Sequence, residues 1–493
     1  GIRDLVRSRG RGDVYKRQPW DLLIIGGGAT GLGVAVDASS RGYRVLLVEQ
    51  HDFAKATSSR STKLVHGGVR YLQQGDVSMV VEALHERGRL WRNAPHLVKD
   101  MRFIIGNYRW WERPFYTIGL CCYDLLAGRL GLGRSLPLSK KQTLKELPGL
   151  LHDHLRGGVV YHDGQFDDSR MAITLMQSAH DHGAICINYM KVTSLIKNDS
   201  GKICGAALED TLEGGTYEVN VKGVVNATGV YVDDIMQMDK PESRKKVRPS
   251  QGVHIVVDAA FLGGNSALMI PKTRDGRVLF GVPWHGKAVL GTTDTPLNEN
   301  SLEPKPLDEE IDFILDQAGQ YLTRKPKRSD VLSVFAGLRP LAAPTHSDSK
   351  KTKEISRNHK IYVSDSGMLT ITGGKWTTYR QMAEEAVNKV AALIGLEPRA
   401  CVTRKMQLHG YREEVDRSVW DYVYGSDADQ IAALIENDAS LGELLHIGYT
   451  FRVAHVIWAV REEMAQTVED VLARRVRALF MDARAAMEMA PRV

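Results

Sequence analysis

A chain of 493 residues, 43% hydrophobic and 25% charged, is long enough for two or three domains whose cores need neither disulfides nor a structural metal. The formal net charge of +6 and the pI of about 8.9 suit an anionic substrate or an anionic lipid surface; the surplus is too thin to argue for nucleic acid. The five cysteines are odd in number and show no Cys-x-x-Cys pair, which points to reduced thiols in a cytosolic setting and no metal framework.

The arginine-rich start, Gly1 to Gln18, lacks an apolar h-region and reads as a disordered or foreign leader, 1–18. The fold is expected to begin with a strand, Asp21 to Ile25, that stops at three glycines. A helix, Ala29 to Arg41, closes at Gly42, and a second strand, Val45 to Val48, ends at Glu49. This β–turn–α–β order opens a parallel sheet. No stretch reaches the ~18 apolar residues of a membrane-spanning helix. The longest candidate, Ile118 to Ala127, contains Asp124.

Val98 to Pro148 is rich in aromatic residues, glycine and arginine. A helix over Asp168 to His182 precedes strands at Ala184 to Asn188, Val192 to Lys197, Ala206 to Glu209 and Val219 to Asn226. From Val253 to Thr293 short apolar runs alternate with turns, the pattern of an antiparallel sheet. Asp308 to Leu322 has helical spacing. Ile361 to Ser364 and Leu369 to Thr372 read as strands before Gly373-Gly374, and Thr377 to Ile394 as a helix. From about Pro398 the pattern is helical: Val415 to Tyr424, Ala428 to Glu436, Thr450 to Met464 and Val468 to Ala490. Arg404, Lys405, His409, Arg412 and Arg417 read as surface charge, with a partner face or dimer contact as the alternative.

Gly26-Gly27-Gly28-Ala29-Thr30-Gly31 fits G-x-G-x-x-G between a strand and a helix. Gly26 permits the tight turn, Gly28 lets the backbone approach a pyrophosphate, and Gly31 lets the helix pack on the sheet. The phosphates belong at the helix N-terminus. Glu49, 18 residues after Gly31, stands where a carboxylate accepts from ribose hydroxyls and repels a 2′-phosphate. This is a dinucleotide site; the early turn and the scattered glycine motifs favour FAD over NAD.

Four motifs carry a family resemblance: the glycine turn from Ile25 on through Asp37 and Arg41-Gly42; Thr57 to Tyr71 (TSSRSTKLVHGGVRY); Ala336 to Leu341 (AGLRPL); and Gly373 to Arg380 (GGKWTTYR). From about residue 20 to its end the chain resembles the bacterial FAD-dependent glycerol-3-phosphate dehydrogenases. The resemblance implies an α/β fold of three parts. They are a Rossmann-like FAD-binding domain of the glutathione-reductase/D-amino-acid-oxidase type (19–97, 160–235, 355–395), an antiparallel substrate domain (98–159, 236–354) and a C-terminal helical domain (398–493). The last helix is expected to be cut short. Thr57, Ser58, Ser59, Lys63, Gly229, Gly373, Gly374 and Thr377 would join the glycine turn along the FAD. His66, Arg70 and Tyr71 would approach the isoalloxazine and the substrate, with Lys375 beside both, and Arg339 and Arg357 would hold the phosphate.

Oxidising a secondary alcohol with a flavin requires a fixed substrate, a hydride acceptor and a base for the hydroxyl proton. Arginine suits the phosphate because its planar fork matches two oxygens and stays charged. His66 and His254 are the candidate bases, and Lys375 a third if Arg339 and burial depress its pKa; His66 in its Gly-Gly loop is preferred, with Lys375 stabilising negative charge on the reduced flavin. Gly291 to Asp294 reads equally as a substrate loop or a structural turn. Arg109 to Tyr116 mixes basic and aromatic residues, as an interfacial segment or a packed loop would; Arg244-Lys245-Lys246 with Arg248 reads as a solvated face. The resemblance further implies peripheral attachment to the cytoplasmic face of the inner membrane, a quinone acceptor and a possible homodimer. The alternatives are a glycerol-3-phosphate oxidase, a related flavin amine or amino-acid oxidase, and a flavoprotein that binds without turnover.

Overall fold

The computed structural model describes residues 20–73, 75–342 and 359–493, with only the backbone described at Arg70, Gln73 and Ala342. The expected leader and Arg357 lie outside the described residues.

Strand β1 (Trp20–Ile25) pairs in parallel with β2 (Val45–Val48) and with Thr216–Asn226. Leu22 and Ile24 enter one apolar cluster, Leu23 and Ile25 another. Burial on both faces is why β1 has no polar alternation, and each such side chain contributes about 1.5–3 kcal/mol. Helix α1 (Ala29–Ser40) makes the crossover from β1 to β2. Among the described residues this sheet runs Lys360–Val363, Leu369–Thr372, Thr216–Asn226, β1, β2, Ile185–Ile187, with Met190–Lys197 and Ile203–Asp210 as an antiparallel extension.

The chain then crosses to a second sheet. Its order is Thr295–Pro296, Val247–Asp258, Lys287–Gly291, Leu279–Trp284, Ala267–Ile270, Lys99–Asn107, Gly157–Gln165, Leu64–Val65; Ser333–Ala342 pairs with Val247–Asp258 and Leu136–Ser139 with Gly157–Gln165. All of its pairs are antiparallel except Ala267–Ile270 with Lys99–Asn107. Helices α2 (Val69–Gln73), α3 (Val77–Asn93) and α4 (Glu112–Ala127) pack beside this sheet. Strand Gly157–Gln165 straddles the expected boundary at 160 yet pairs wholly in the second sheet, and Leu64–Val65 joins it too. The loop 49–63 therefore makes the first crossing between the sheets.

Helices α5 (Asp168–Asp181) and α6 (Tyr379–Leu393) flank α1. The C-terminal region packs into the same core, which includes Trp420, Phe451, Trp458 and Phe480. It is less regular than its spacing implies. Val415 to Tyr424 holds only the start of a 3-10 stretch, Trp420–Asp427, bent at Gly425. Val468 to Ala490 is not one helix: a π-helical turn, Asp470–Arg475, gives way to Arg477 with φ +67°, then to Ala478–Met481 and Ala483–Met489. The cause is charge. Arg474, Arg475 and Arg477 are all buried, the first two against Asp52 and the third against Asp168, and one regular helix cannot aim all three.

Candidate functional site

At the C-terminal ends of β1 and β2 the chain forms a cleft of ≈ 310 Å³. Gly26 turns with φ +111°, and a Cβ there would meet the Ala227 carbonyl oxygen at 2.8 Å. A Cβ on Gly31 would sit 1.9 Å from the Gly26 carbonyl oxygen, so only glycine lets α1 pack this close. Gly26, Gly28, Ala29 and Thr30 line the cleft, as do Thr57 and Ser58. The Ser58 hydroxyl accepts from the Ala29 N–H at 2.9 Å, supplying the cap that Gly28 lacks. Glu49 ends β2 at the cleft wall. Its two carboxylate oxygens accept from the Gly27 and His51 N–H groups at 2.7 and 3.0 Å. Burial raises its pKa above the ordinary carboxylate value, against those backbone donors. Gly229, Gly373, Gly374 and Lys375 complete the far wall.

The cleft fits a dinucleotide. The glycine turn leaves the helix end open to it, Glu49 presents a carboxylate fixed by backbone donors, and the buried Tyr231 hydroxyl in the wall has no hydrogen-bond partner among the described residues. FAD would be held by the Gly26–Thr30 turn, Glu49, Thr57, Ser58, Gly229 and Gly373–Lys375.

A second cavity of ≈ 200 Å³ lies beyond it, between the bridging loop and the second sheet. Its polar wall includes Thr62, His66, Tyr71, Arg277, Asp294 and Arg339, and its apolar wall Phe103, Tyr161, Met269 and Phe280. The Arg339 guanidinium donates to Thr292 Oγ1 and the Thr293 carbonyl, both at 3.0 Å, and pairs with Asp294 at 3.4 Å. Of the Gly291–Asp294 segment, Thr292, Thr293 and Asp294 line the cavity. Neighbours on one strand, Arg339 and Pro340 face one cavity each. At the same junction Lys375 Nζ lies 4.0 Å from the centre of the Tyr71 ring.

Some expected residues stand elsewhere. Ser59 is buried, its hydroxyl turned to the Ala56 carbonyl at 3.5 Å, and it does not line the cleft. Lys63 is fully buried behind the loop, donating to the Ser59 carbonyl and to Asp168, both at 2.7 Å. Burial, aided by Arg477, brings its pKa down to about 8 although Asp168 opposes the shift. Thr377 does not line the cleft and grips the backbone of His66: its Oγ1 accepts from the His66 N–H at 3.1 Å. His254 stands behind Thr62, its Nε2 2.8 Å from Thr62 Oγ1 and its ring stacked on Phe335. Burial first, then Lys63 and Arg339, holds its pKa well below the ordinary histidine value, so it is neutral. Arg70 sits in α2, its side chain outside the description. His409, expected on the surface, is half-buried between Asp181 and Asp427.

Sequence reasoning missed three residues of the site. Arg277 follows an Asp-Gly turn, which reads as exposed, yet it points into the second cavity beside Arg339. Asp163 is a buried carboxylate inside a strand, a signal that was legible. It accepts from the Gly67 N–H at 3.3 Å, from Arg87 at 2.6 Å and from Tyr123 at 2.9 Å, and so fixes the His66 loop from below. Thr62 puts a hydroxyl between His254 and the cavity.

The chain matches a family model described as FAD dependent oxidoreductase over residues 21–380, and the C-terminal domain of alpha-glycerophosphate oxidase over residues 369–493. It is 40% identical to the probable mitochondrial glycerol-3-phosphate dehydrogenase of Caenorhabditis elegans over 512 residues, 98% of this chain and 70% of that protein. It is 41% identical to the mitochondrial glycerol-3-phosphate dehydrogenase SDP6 of Arabidopsis thaliana over 519 residues, 96% and 82%. The structure resembles glycerol-3-phosphate dehydrogenase from Bacillus halodurans complexed with FAD, with 31% identity, a TM-score of 0.78 and 98% and 90% of the two chains covered. It shares its fold with FAD-bound L-alpha-glycerophosphate oxidase from Mycoplasma pneumoniae at 20% identity and a TM-score of 0.61, over 79% and 98%.

Proposed function

The chain belongs to the FAD-dependent oxidoreductase family; from there we propose that it oxidises sn-glycerol 3-phosphate to dihydroxyacetone phosphate and passes the electrons to a membrane quinone. The observation that carries this reading is the junction of the two cavities, where Arg339 and Pro340 face opposite ways and Lys375 meets Tyr71. FAD bound in the cleft supplies the hydride acceptor. Arg339 and Arg277 grip the phosphate, and Asp294 with the Thr292–Thr293 segment keeps the Arg339 fork aimed. With that end fixed, the C2 carbon cannot slide, and its approach is pre-oriented. His66, in the cavity wall, takes the proton of the C2 hydroxyl as the hydride leaves. Lys375 places positive charge at the junction, where negative charge develops. The apolar wall of Phe103, Tyr161 and Phe280 limits water.

Attachment is peripheral, on the cytoplasmic face of the inner membrane. Two features support it. Among the described residues no helix is long and apolar enough to cross a membrane. Helix α4 and its approach expose Trp110, Trp111, Phe115, Ile118 and Leu125, a patch flanked by Arg109 and Arg113. A second reading, reduction of oxygen to peroxide, is favoured by the match of the C-terminal region to an oxidase domain.

Vesicles carrying a quinone separate the two. We expect quinone-dependent turnover without oxygen uptake, and weaker vesicle binding once Trp111, Phe115 and Leu125 are replaced by serine. Peroxide formed from substrate and oxygen at a matching rate favours the oxidase.

A further inference from the structure

We infer that Arg477, in the C-terminal region, is a positioning residue for the cofactor cleft: it fixes the Thr57–Ser59 turn from behind. The guanidinium is fully buried. Its Nη2 donates to the Ser59 carbonyl at 3.0 Å and to Asp168 Oδ1 at 2.9 Å, and its Nη1 to the Ala473 carbonyl at 2.6 Å. Lys63 reaches the same Ser59 carbonyl from the other side and pairs with the second oxygen of Asp168. That oxygen also accepts from the Ser61 N–H and hydroxyl at 2.9 and 2.7 Å. Residues 59, 61 and 63 are thus gripped by charges one layer behind the cleft.

The opposite face of the turn is the cleft wall. Thr57 and Ser58 line it, Ser58 Oγ accepts from Ala29, and Trp376 Nε1 donates to the Ser58 carbonyl at 2.9 Å. A short series of bonded groups therefore runs from Arg477 through Ser59 and Ser58 to the first turn of α1. Nearby contacts act alike. Arg474 and Arg475 clasp Asp52 at 2.5 and 2.8 Å, and Lys55, itself in the cleft wall, pairs with Glu469. The segment 469–477 holds the loop 52–59 at three places. Arg477 adopts φ +67°, unfavourable for a residue with a Cβ, and its three hydrogen bonds are what that conformation delivers.

The consequence is a slower release of FAD than the cleft alone would give. This rests on FAD as the cofactor and is independent of the substrate reading, because the test uses no substrate. It compares the full-length holoenzyme with Arg477→Met, Arg477→Lys and Ser58→Ala. Two quantities are measured: FAD release on dilution, by the rise in flavin fluorescence well below the unfolding temperature, and Tm with and without FAD. We expect Arg477→Met to release FAD roughly tenfold faster, the scale of one charge-assisted hydrogen bond. Arg477→Lys should recover part of the difference, since an ammonium keeps the charge but not the fork. Ser58→Ala removes a cleft contact directly and is the positive control for faster release; Arg477→Lys, which keeps the buried charge, decides the matter should Arg477→Met fail to fold. If the arginine variants that fold lower Tm equally with and without FAD, and their release rates stay within about twofold of wild type, Arg477 is structural only and the inference is overturned.

Discussion

Arg339 is set by its neighbours before any ligand arrives. Thr292, Thr293 and Asp294 take its donors on one side, and Gly252 leaves it room, since a Cβ there would lie 2.3 Å from Nη2. A guanidinium so fixed loses little freedom on binding an oxyanion, while a lysine in its place lacks the fork. Arg339→Lys should therefore lower kcat/KM for glycerol 3-phosphate by roughly 10- to 100-fold, chiefly through KM. Unphosphorylated glycerol should be an equally poor substrate for both forms. Steady-state kinetics on the two compounds checks this. An equal loss on glycerol would mean that Arg339 does not meet the phosphate.

At the scale of elements, the histidine clamp between α5 and the C-terminal region gives a pH signature. Burial opposes a charge on His409. The carboxylates of Asp181 and Asp427, on its two ring nitrogens at 2.7 and 3.0 Å, prevail and push its pKa up to about 10. A raised pKa means stability fully present below the ordinary value of 6.5 and lost as pH climbs toward 10. Wild-type stability should fall across that window, by on the order of 1 kcal/mol, and His409→Gln should flatten the slope. Denaturant unfolding at pH 6, 8 and 10 reads the difference; parallel curves for the two proteins would contradict it. The elements themselves were unevenly legible. The β1–α1–β2 unit was plain because its strands are apolar throughout and its glycines sit at fixed offsets. Val468 to Ala490 misled because its apolar spacing is helical while its arginines answer to partners far off in the chain: Asp52 and Asp168. Ser59 and Lys63 misled for a related reason. They lie within a motif that touches the cleft through Thr57 and Ser58, while Ser59 and Lys63 face the buried cluster behind it.

In the whole molecule, the functional groups collect where the two sheets meet, around the loop 49–63 and the segment that follows it. The glycine turn and Glu49 stand at the first sheet, Arg339 in the second with Arg277 just before one of its strands, and His66 just after Leu64–Val65 of that second sheet. The contribution of each sheet was visible in the sequence; their meeting, and the entry of Arg277, was not, because it depends on how a hairpin folds over. The proposed reaction requires a flavin ring in the cleft facing a cavity that binds the phosphate. Mixing the oxidised holoenzyme anaerobically with glycerol 3-phosphate, and in parallel with glycerol, while following the visible flavin absorbance, tests this most directly. The flavin should bleach within the mixing experiment with the phosphate ester and stay coloured with glycerol. A flavin that keeps its colour with both, or bleaches equally with both, contradicts the account.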